Sequence, residues 1–122
     1  MKIRLELGSI LFLCLRFLLT NLNGQSTNQA VFQQNFLKAQ NGDPVAQESV
    51  ASAYYKGCVV KKDYVEAVKW YRKAADQNEA KAQSILGACY YNGEGVEKDY
   101  AEAVKWYRKA ADQTYIPQVV EG

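Results

Sequence analysis

Apolar residues recur at spacings of three and four along residues 63–77, which read DYVEAVKWYRKAADQ. The recurring residues are Tyr64, Ala67, Val68, Tyr71, Ala74 and Ala75. This spacing places them on one stripe of an α-helix, with charged residues on the other side. Asp63 precedes the stripe as an N-cap. Glu66 lies three residues after Asp63, as in a capping box. The pattern therefore predicts an amphipathic helix that begins near Tyr64.

The same stretch occurs again 36 residues later, as DYAEAVKWYRKAADQ at residues 99–113, and the copies differ only at Val65 and Ala101. Over residues 46–78 and 82–114, 21 of 33 aligned pairs are identical. Self-similarity at this period is typical of stacked helical repeats. We therefore predict an all-α fold, an α-α superhelix in which antiparallel helix pairs form a solenoid.

Turn residues divide the chain into repeats. Gly42, Asp43 and Pro44 combine a helix stop, an N-cap and a favoured first helical residue. A first helix is predicted from there to about Tyr55, and its counterpart at residues 81–91. The segment before it carries an apolar face of Val31, Phe32, Phe36, Leu37 and Ala39, which we interpret as a degenerate half repeat. The predicted order is an N-terminal segment at 1–26, a capping helix at 27–42, repeats at 43–78 and 79–114, and a tail at 115–122.

The N-terminal segment has the features of an export signal. Lys2 and Arg4 precede an uncharged apolar run at residues 7–15, which is too short to span a bilayer. Gly24, Gln25 and Ser26 form a small-x-small cleavage pattern. We expect a periplasmic or secreted protein. An uncleaved membrane anchor and a misassigned start codon are the alternatives, because Glu6 and Arg16 interrupt the signal pattern.

The charges beyond residue 26 are balanced, with 12 Lys and Arg against 12 Asp and Glu. Their signs alternate along the predicted helices, which is typical of a solvated helix surface. A nucleic-acid partner would need a basic patch, and none is expected here. Membrane contact is expected only if the N-terminal segment is retained.

The residue inventory does not favour an enzyme. The chain has no histidine, and Cys58 and Cys89 are too few for a closed zinc site, so we predict no catalytic, cofactor-binding or metal-binding residues. Glu66 and Glu102 are accounted for by the predicted capping boxes. A disulfide between the two cysteines is unfavourable, because Cys89 aligns with Ala53 on the neighbouring helix, five residues before Cys58. We expect Cys89 in the core and Cys58 as a loop thiol.

One pattern spans most of the second repeat: Ala82, Leu86-Gly87, Tyr90, Gly93, Gly95-Val96, Asp99-Tyr100, Ala103, Trp106-Tyr107 and Ala110-Ala111. It resembles the Sel-one-like repeat (SLR) family, relatives of the tetratricopeptide repeat, over residues 43–114. The resemblance implies helix pairs in a right-handed superhelix and an adaptor or scaffold role, often in exported bacterial proteins. Some cysteine-rich relatives are assigned β-lactamase activity, but Ala75 and Ala82 stand where those relatives carry paired cysteines. A cryptic hydrolase and a remnant of a longer repeat protein are the alternatives.

The first repeat departs from the family pattern twice. Val59 replaces the second loop glycine, so a different turn is expected there, since a β-branched residue is disfavoured at positive φ. Ala51 replaces Gly87, and the glycine is expected to allow closer packing of helices.

The tetratricopeptide analogy implies that first helices line a concave face that binds a protein or peptide. The residues expected to reach this face are Val45, Glu48, Ser52, Tyr55, Lys56, Lys81, Ser84, Ala88, Tyr91 and Asn92. The alternative is that they form ordinary solvated surface. At the other end, the stripe of Tyr100, Val104, Tyr107 and Ala111 is expected to lack a neighbouring helix. We expect either residues 115–120 or a second copy of the chain to cover it.

Overall fold

The computed structural model describes residues 25–114, and this part of the chain forms five α-helices and no strand. They are α1 (Gln25–Gln40), α2 (Pro44–Lys56), α3 (Tyr64–Asp76), α4 (Ala80–Asn92) and α5 (Tyr100–Thr114). Each helix packs against the next along the chain. This arrangement confirms the predicted all-α fold of stacked helix pairs. The predicted N-terminal export segment (1–26) lies outside the described residues up to residue 24, and so does the tail at 115–122.

The short connections between repeats are fixed by caps. Asp43 Oδ1 accepts hydrogen bonds from the backbone N–H groups of Val45 (2.9 Å) and Ala46 (3.1 Å), as the sequence predicted. Gly42 has φ 98° and Asn78 has φ 66°, so both connections use a left-handed residue. Glu79, which the sequence did not single out, caps α4 by accepting from the Ala82 N–H at 2.8 Å. Each second helix therefore ends, and the next first helix begins, within a few residues.

The reciprocal capping box does not form, and that prediction was wrong. Asp63 does accept from the Glu66 N–H at 3.1 Å. The Asp63 N–H, however, donates to the Tyr54 carbonyl at 2.9 Å, so no donor is left for the Glu66 carboxylate. Glu66 instead receives the Lys69 ammonium at 2.6 Å. The second repeat repeats this arrangement with Glu102 and Lys105.

The core follows the predicted stripe of α3. The buried residues of that helix are Ala67, Val68, Trp70, Tyr71, Ala74 and Ala75. α2 contributes Val50 and Ala51, and α4 contributes Leu86 and Cys89, all with no exposed surface. Alternation of alanine with large rings lets the helices approach closely, so the core fills without long side chains.

α1 covers one end of this core, but not with the whole predicted face. Phe32 and Ala39 are buried, and the Phe36 ring meets Trp70 edge-on at 5.6 Å between centroids. Val31 and Leu37 are exposed, which corrects their assignment to this face. They lie to either side of the line through Phe32, Phe36 and Ala39, so the rotation of the helix leaves them in solvent.

Gly87 brings α4 against α5. A Cβ atom at this position would lie 3.0 Å from the Tyr107 ring and 3.2 Å from the Ala103 carbonyl oxygen. This confirms that the glycine allows close packing. Ala51 stands at the equivalent position of α2 and is fully buried, so the first repeat accommodates the extra methyl group.

The two loops within the repeats adopt the same turn, and the expectation of a different turn at Val59 was wrong. Gly57 and Gly93 have φ 70° and 72°, and Val59 and Gly95 have φ 73° and 72°. Bonds at both ends of each loop impose this conformation, such as the one from the Asp63 N–H to the Tyr54 carbonyl. Val59 therefore occupies a left-handed conformation that strains a β-branched residue.

These loops give a matched pair of substitutions. A Cβ atom at Gly95 would overlap the Tyr64 carbonyl oxygen, so Gly95→Ala is expected to lower the free energy of unfolding by at least about 2 kcal/mol. Val59→Gly removes this strain at an exposed position. Glycine also gives the unfolded chain more conformational freedom, which offsets part of the benefit. We expect a net increase of about 1 kcal/mol in the free energy of unfolding. Urea unfolding of both variants measures the difference. Equal effects of the same sign would contradict this account of the loops.

A ladder of glutamine amides runs through the stack. The Gln47 amide donates to the Ala39 carbonyl at 3.0 Å and accepts from Gln77 at 2.8 Å. One repeat later, Gln83 donates to the Ala75 carbonyl at 3.0 Å and accepts from Gln113 at 2.7 Å. Gln47 and Gln83 are both buried. At each step, a glutamine of a first helix bonds to the end of the preceding second helix and to the end of the second helix that follows.

Removing a buried amide from the ladder should destabilise the fold, because the Ala75 carbonyl would keep only the bond from the Asn78 N–H and the Gln113 amide would lose its acceptor. We expect Gln83→Leu to lower the free energy of unfolding by about 2 kcal/mol. Gln33→Leu changes an exposed glutamine of α1 and serves as the control, with almost no expected effect. Chemical denaturation of the two variants tests this. A Gln83→Leu protein as stable as wild type would show that the ladder contributes nothing.

Candidate functional site

The ten residues predicted to line the inner face lie on α2 and α4, the first helices of the two repeats. Six are exposed: Val45, Lys56, Lys81, Ser84, Tyr91 and Asn92. Ser52, Tyr55 and Ala88 are half-buried, and Glu48 is buried. The two repeats therefore present different surfaces, although they share a fold.

Glu48 and Lys81 connect the two first helices. The Lys81 ammonium lies 2.9 Å from Glu48 Oε1, and the carboxylate raises the pKa of Lys81. The contact is an ion pair without good hydrogen-bond geometry, and no other described group bonds to this buried oxygen. Glu48 is thus held between the two first helices, while the lysine paired with it is exposed.

Tyr55 joins the repeats and is only partly available at the surface. Its hydroxyl donates to Glu94 Oε2 at 2.6 Å, and this hydrogen bond raises the pKa of Tyr55. Its ring packs edge-on against Tyr64 and Tyr71, at 5.1 Å and 6.3 Å between centroids. The side chain therefore stabilises the stack, so replacing it would test packing together with binding. Comparison of the repeats does not reveal this bond, because Cys58 stands at the position of Glu94 in the first repeat.

Tyr91 occupies the position equivalent to Tyr55 but has a different environment. Its side chain is 54% exposed. One face of its ring packs on Tyr100, at 5.1 Å between centroids. The ring is therefore positioned by the fold and still open to solvent, which is the arrangement of an aromatic anchor in a protein interface.

Two buried titratable groups of α3 and α4 have raised pKa values. Burial raises the pKa of Tyr71 to about 12 and the pKa of the Cys89 thiol to about 11. A thiol that remains protonated is a poor nucleophile. Cys58 is exposed and Cys89 is buried, and both are free, as the sequence predicted.

The described part of the chain shows no arrangement for metal chemistry. Between residues 25 and 114, no three His, Cys, Asp or Glu side chains come together as a metal site. Nor does any of the five helices combine the length and apolar character needed to cross a bilayer.

The sequence matches the Sel1 repeat model twice, at residues 44–79 and 80–115. These limits lie one residue beyond the predicted repeats. The sel1-like repeat-containing protein L18 of Acanthamoeba polyphaga mimivirus is 45% identical over 42 residues, which are 34% of this chain and 7% of the viral protein. The chain therefore spans only a small part of that relative.

Solved structures share the fold. The structure of c5321, a protective antigen of uropathogenic Escherichia coli with an SLR fold, gives a TM-score of 0.69 at 38% identity, covering 71% of this chain and 19% of that protein. A Sel1 repeat protein from Oxalobacter formigenes gives 0.67 at 44% identity, covering 69% and 35%. Helicobacter pylori cysteine rich protein B gives 0.69 at 30% identity, covering 73% and 67%. With two matched repeats across most of its described residues, the chain belongs to the Sel1 repeat family.

Proposed function

We propose that this chain is a non-enzymatic adaptor module that binds a protein or peptide segment along α2 and α4, with Tyr91 as the main anchor. Sel1 repeats generally mediate protein–protein interactions, and the fold is typically non-catalytic. The proposal assigns that general activity to one face of this chain. We also propose that the chain acts outside the cytoplasm, on the strength of the signal-like pattern at residues 1–26.

The observation that carries the proposal is the contrast between Tyr91 and Tyr55. Equivalent tyrosines differ because the Tyr55 hydroxyl bonds to Glu94, whereas the Tyr91 side chain is 54% exposed and its ring contacts Tyr100. An aromatic side chain that is already ordered loses little conformational entropy when a partner binds. Tyr91 therefore offers a large contact area with a small ordering cost.

The surroundings of Tyr91 favour a segment of mixed chemistry. Ser84 and Asn92 are exposed on the same helix and supply hydrogen-bonding groups, and the half-buried Ala88 adds a small apolar side chain. Lys81 supplies a positive charge at the start of α4, partly balanced by Glu48. Such a face fits a peptide with an apolar or aromatic side chain near Tyr91 and polar groups on either side.

Peptide selection on the full chain provides the test. Peptides enriched by display should bind Tyr91→Ala at least tenfold more weakly than wild type, as expected for an interface anchor. Val65→Ala is the matched control, because it places on α3 the residue that α5 carries at that position, and its affinity should be unchanged. Titration calorimetry gives the affinities, and melting curves show whether the variants are folded. Peptides that bind Tyr91→Ala as tightly as wild type, or no enrichment at all, would contradict the proposal.

A further inference from the structure

α5 carries an apolar stripe that the described residues leave open. We define the α5 stripe as Tyr100, Val104, Tyr107 and Ala111, of which the first three are 55%, 45% and 40% exposed. The same positions of α3 hold Tyr64, Val68, Tyr71 and Ala75. There Val68 is 5% exposed and Tyr71 is 1% exposed, because α4 packs across them. Since the two helices have nearly the same sequence, the difference arises from the neighbour and not from the helix itself.

The end of α5 departs from the connection that brings α4 across α3. α3 stops at Asp76, and Asn78 then turns the chain with φ 66°. Thr114 stands at the position of Asn78 and is still helical, with its hydroxyl donating to the Ala111 carbonyl at 3.0 Å. A β-branched residue disfavours the left-handed conformation that the turn needs. The turn that connects α3 to α4 is therefore not repeated at Thr114.

The spacing within the α5 stripe is that of a helix-pairing seam. Its members follow one another at intervals of four, three and four residues, which is the a/d spacing of a coiled coil. A shallow depression continues the stripe onto α4, lined by Lys81, Ser84, Tyr107, Ala110, Ala111 and Thr114. No residue of the stripe is charged, so a helix laid along it would meet apolar side chains, with Lys98 over the Tyr100 ring at one end.

We propose that the α5 stripe pairs with the α5 stripe of a second copy of this chain, antiparallel about a two-fold axis. In that register Tyr100 of one copy faces Ala111 of the other, and Val104 faces Tyr107. Each large ring meets a smaller side chain, so the stripe is complementary to itself, as a two-fold interface requires. The register gives four contacts between the copies. Two lie on each side of the two-fold axis, which passes between positions 105 and 106.

The interface is small and borders the proposed binding face, because Tyr100 of the stripe packs against Tyr91. Four side chains from each copy bury less surface than a standard protein interface, so the dimer belongs to the weak class. We expect dissociation constants in the micromolar range, on the order of 10–100 µM. Dimerisation would place two inner faces in one particle and so add avidity for a partner with repeated segments.

Sedimentation velocity on the full chain over a range of concentrations tests the proposal. Wild type should pass from monomer to dimer, and Val104→Glu and Ala111→Glu should each remain monomeric at the highest concentration. The matched controls are Val65→Glu on α3 and Ala101→Glu on α5, which change exposed residues outside the stripe and should dimerise like wild type. Two disrupting variants are used so that a folding defect in one does not decide the result.

A complementary pair tests the register itself. Val104→Glu and Tyr107→Lys should each prevent self-association, and their equimolar mixture should form a heterodimer, because position 104 of one copy faces position 107 of the other. Wild type that is monomeric at every concentration would overturn the proposal. A monomer whose melting temperature falls on deletion of residues 115–122 would assign the stripe to that segment instead. Dimers that form without restoration in the mixed sample would contradict the antiparallel register.

Discussion

Contact with a neighbouring helix on each side is the constraint on which the rest of this structure depends. No described helix is long: α1, α3 and α5 bury alanine together with one or two large rings, whereas α2 and α4 bury smaller side chains and a glutamine. Short helices have little stability of their own in water, so their packing must supply it. The buried amides of Gln47 and Gln83 set the register of this packing, because each can satisfy its bonds only when three helices meet at one point. The ladder thus specifies the stack while the apolar contacts stabilise it.

The same constraint determines which surfaces remain free. Tyr71 and Tyr107 occupy equivalent positions, yet one is core and the other is exposed. Tyr55 and Tyr91 also occupy equivalent positions. They differ because the loop of the second repeat brings Glu94 to the hydroxyl of Tyr55. The exposed candidate binding residues therefore lie mostly on the second repeat, where none of the described residues forms a further repeat to cover them.

Much of the fold could be predicted because the repeat is visible in the sequence. The helix stripe of α3, the Asp43 cap, the role of Gly87 and the free cysteines all follow from local spacing or from alignment of the repeats. What failed was decided by contacts between distant residues. Asp63 could not complete a capping box because Tyr54 already receives its N–H, and Val59 keeps the glycine turn because bonds at both ends of the loop impose it. The glutamine ladder left a signal in the sequence, since Gln47 and Gln77 recur at Gln83 and Gln113, but hydrophobic periodicity does not register polar positions.

Hydrogen exchange measured by mass spectrometry would test the role of neighbouring helices most directly. Residues 63–77 and 99–113 differ at a single position, so their amides have nearly the same intrinsic exchange rates. If neighbours supply the stability, then at submicromolar concentration, where self-association is negligible, α3 should exchange at least about tenfold more slowly than α5. Equal protection of the two helices would show that the helix sequence itself, and not its coverage, sets local stability, and would contradict the account.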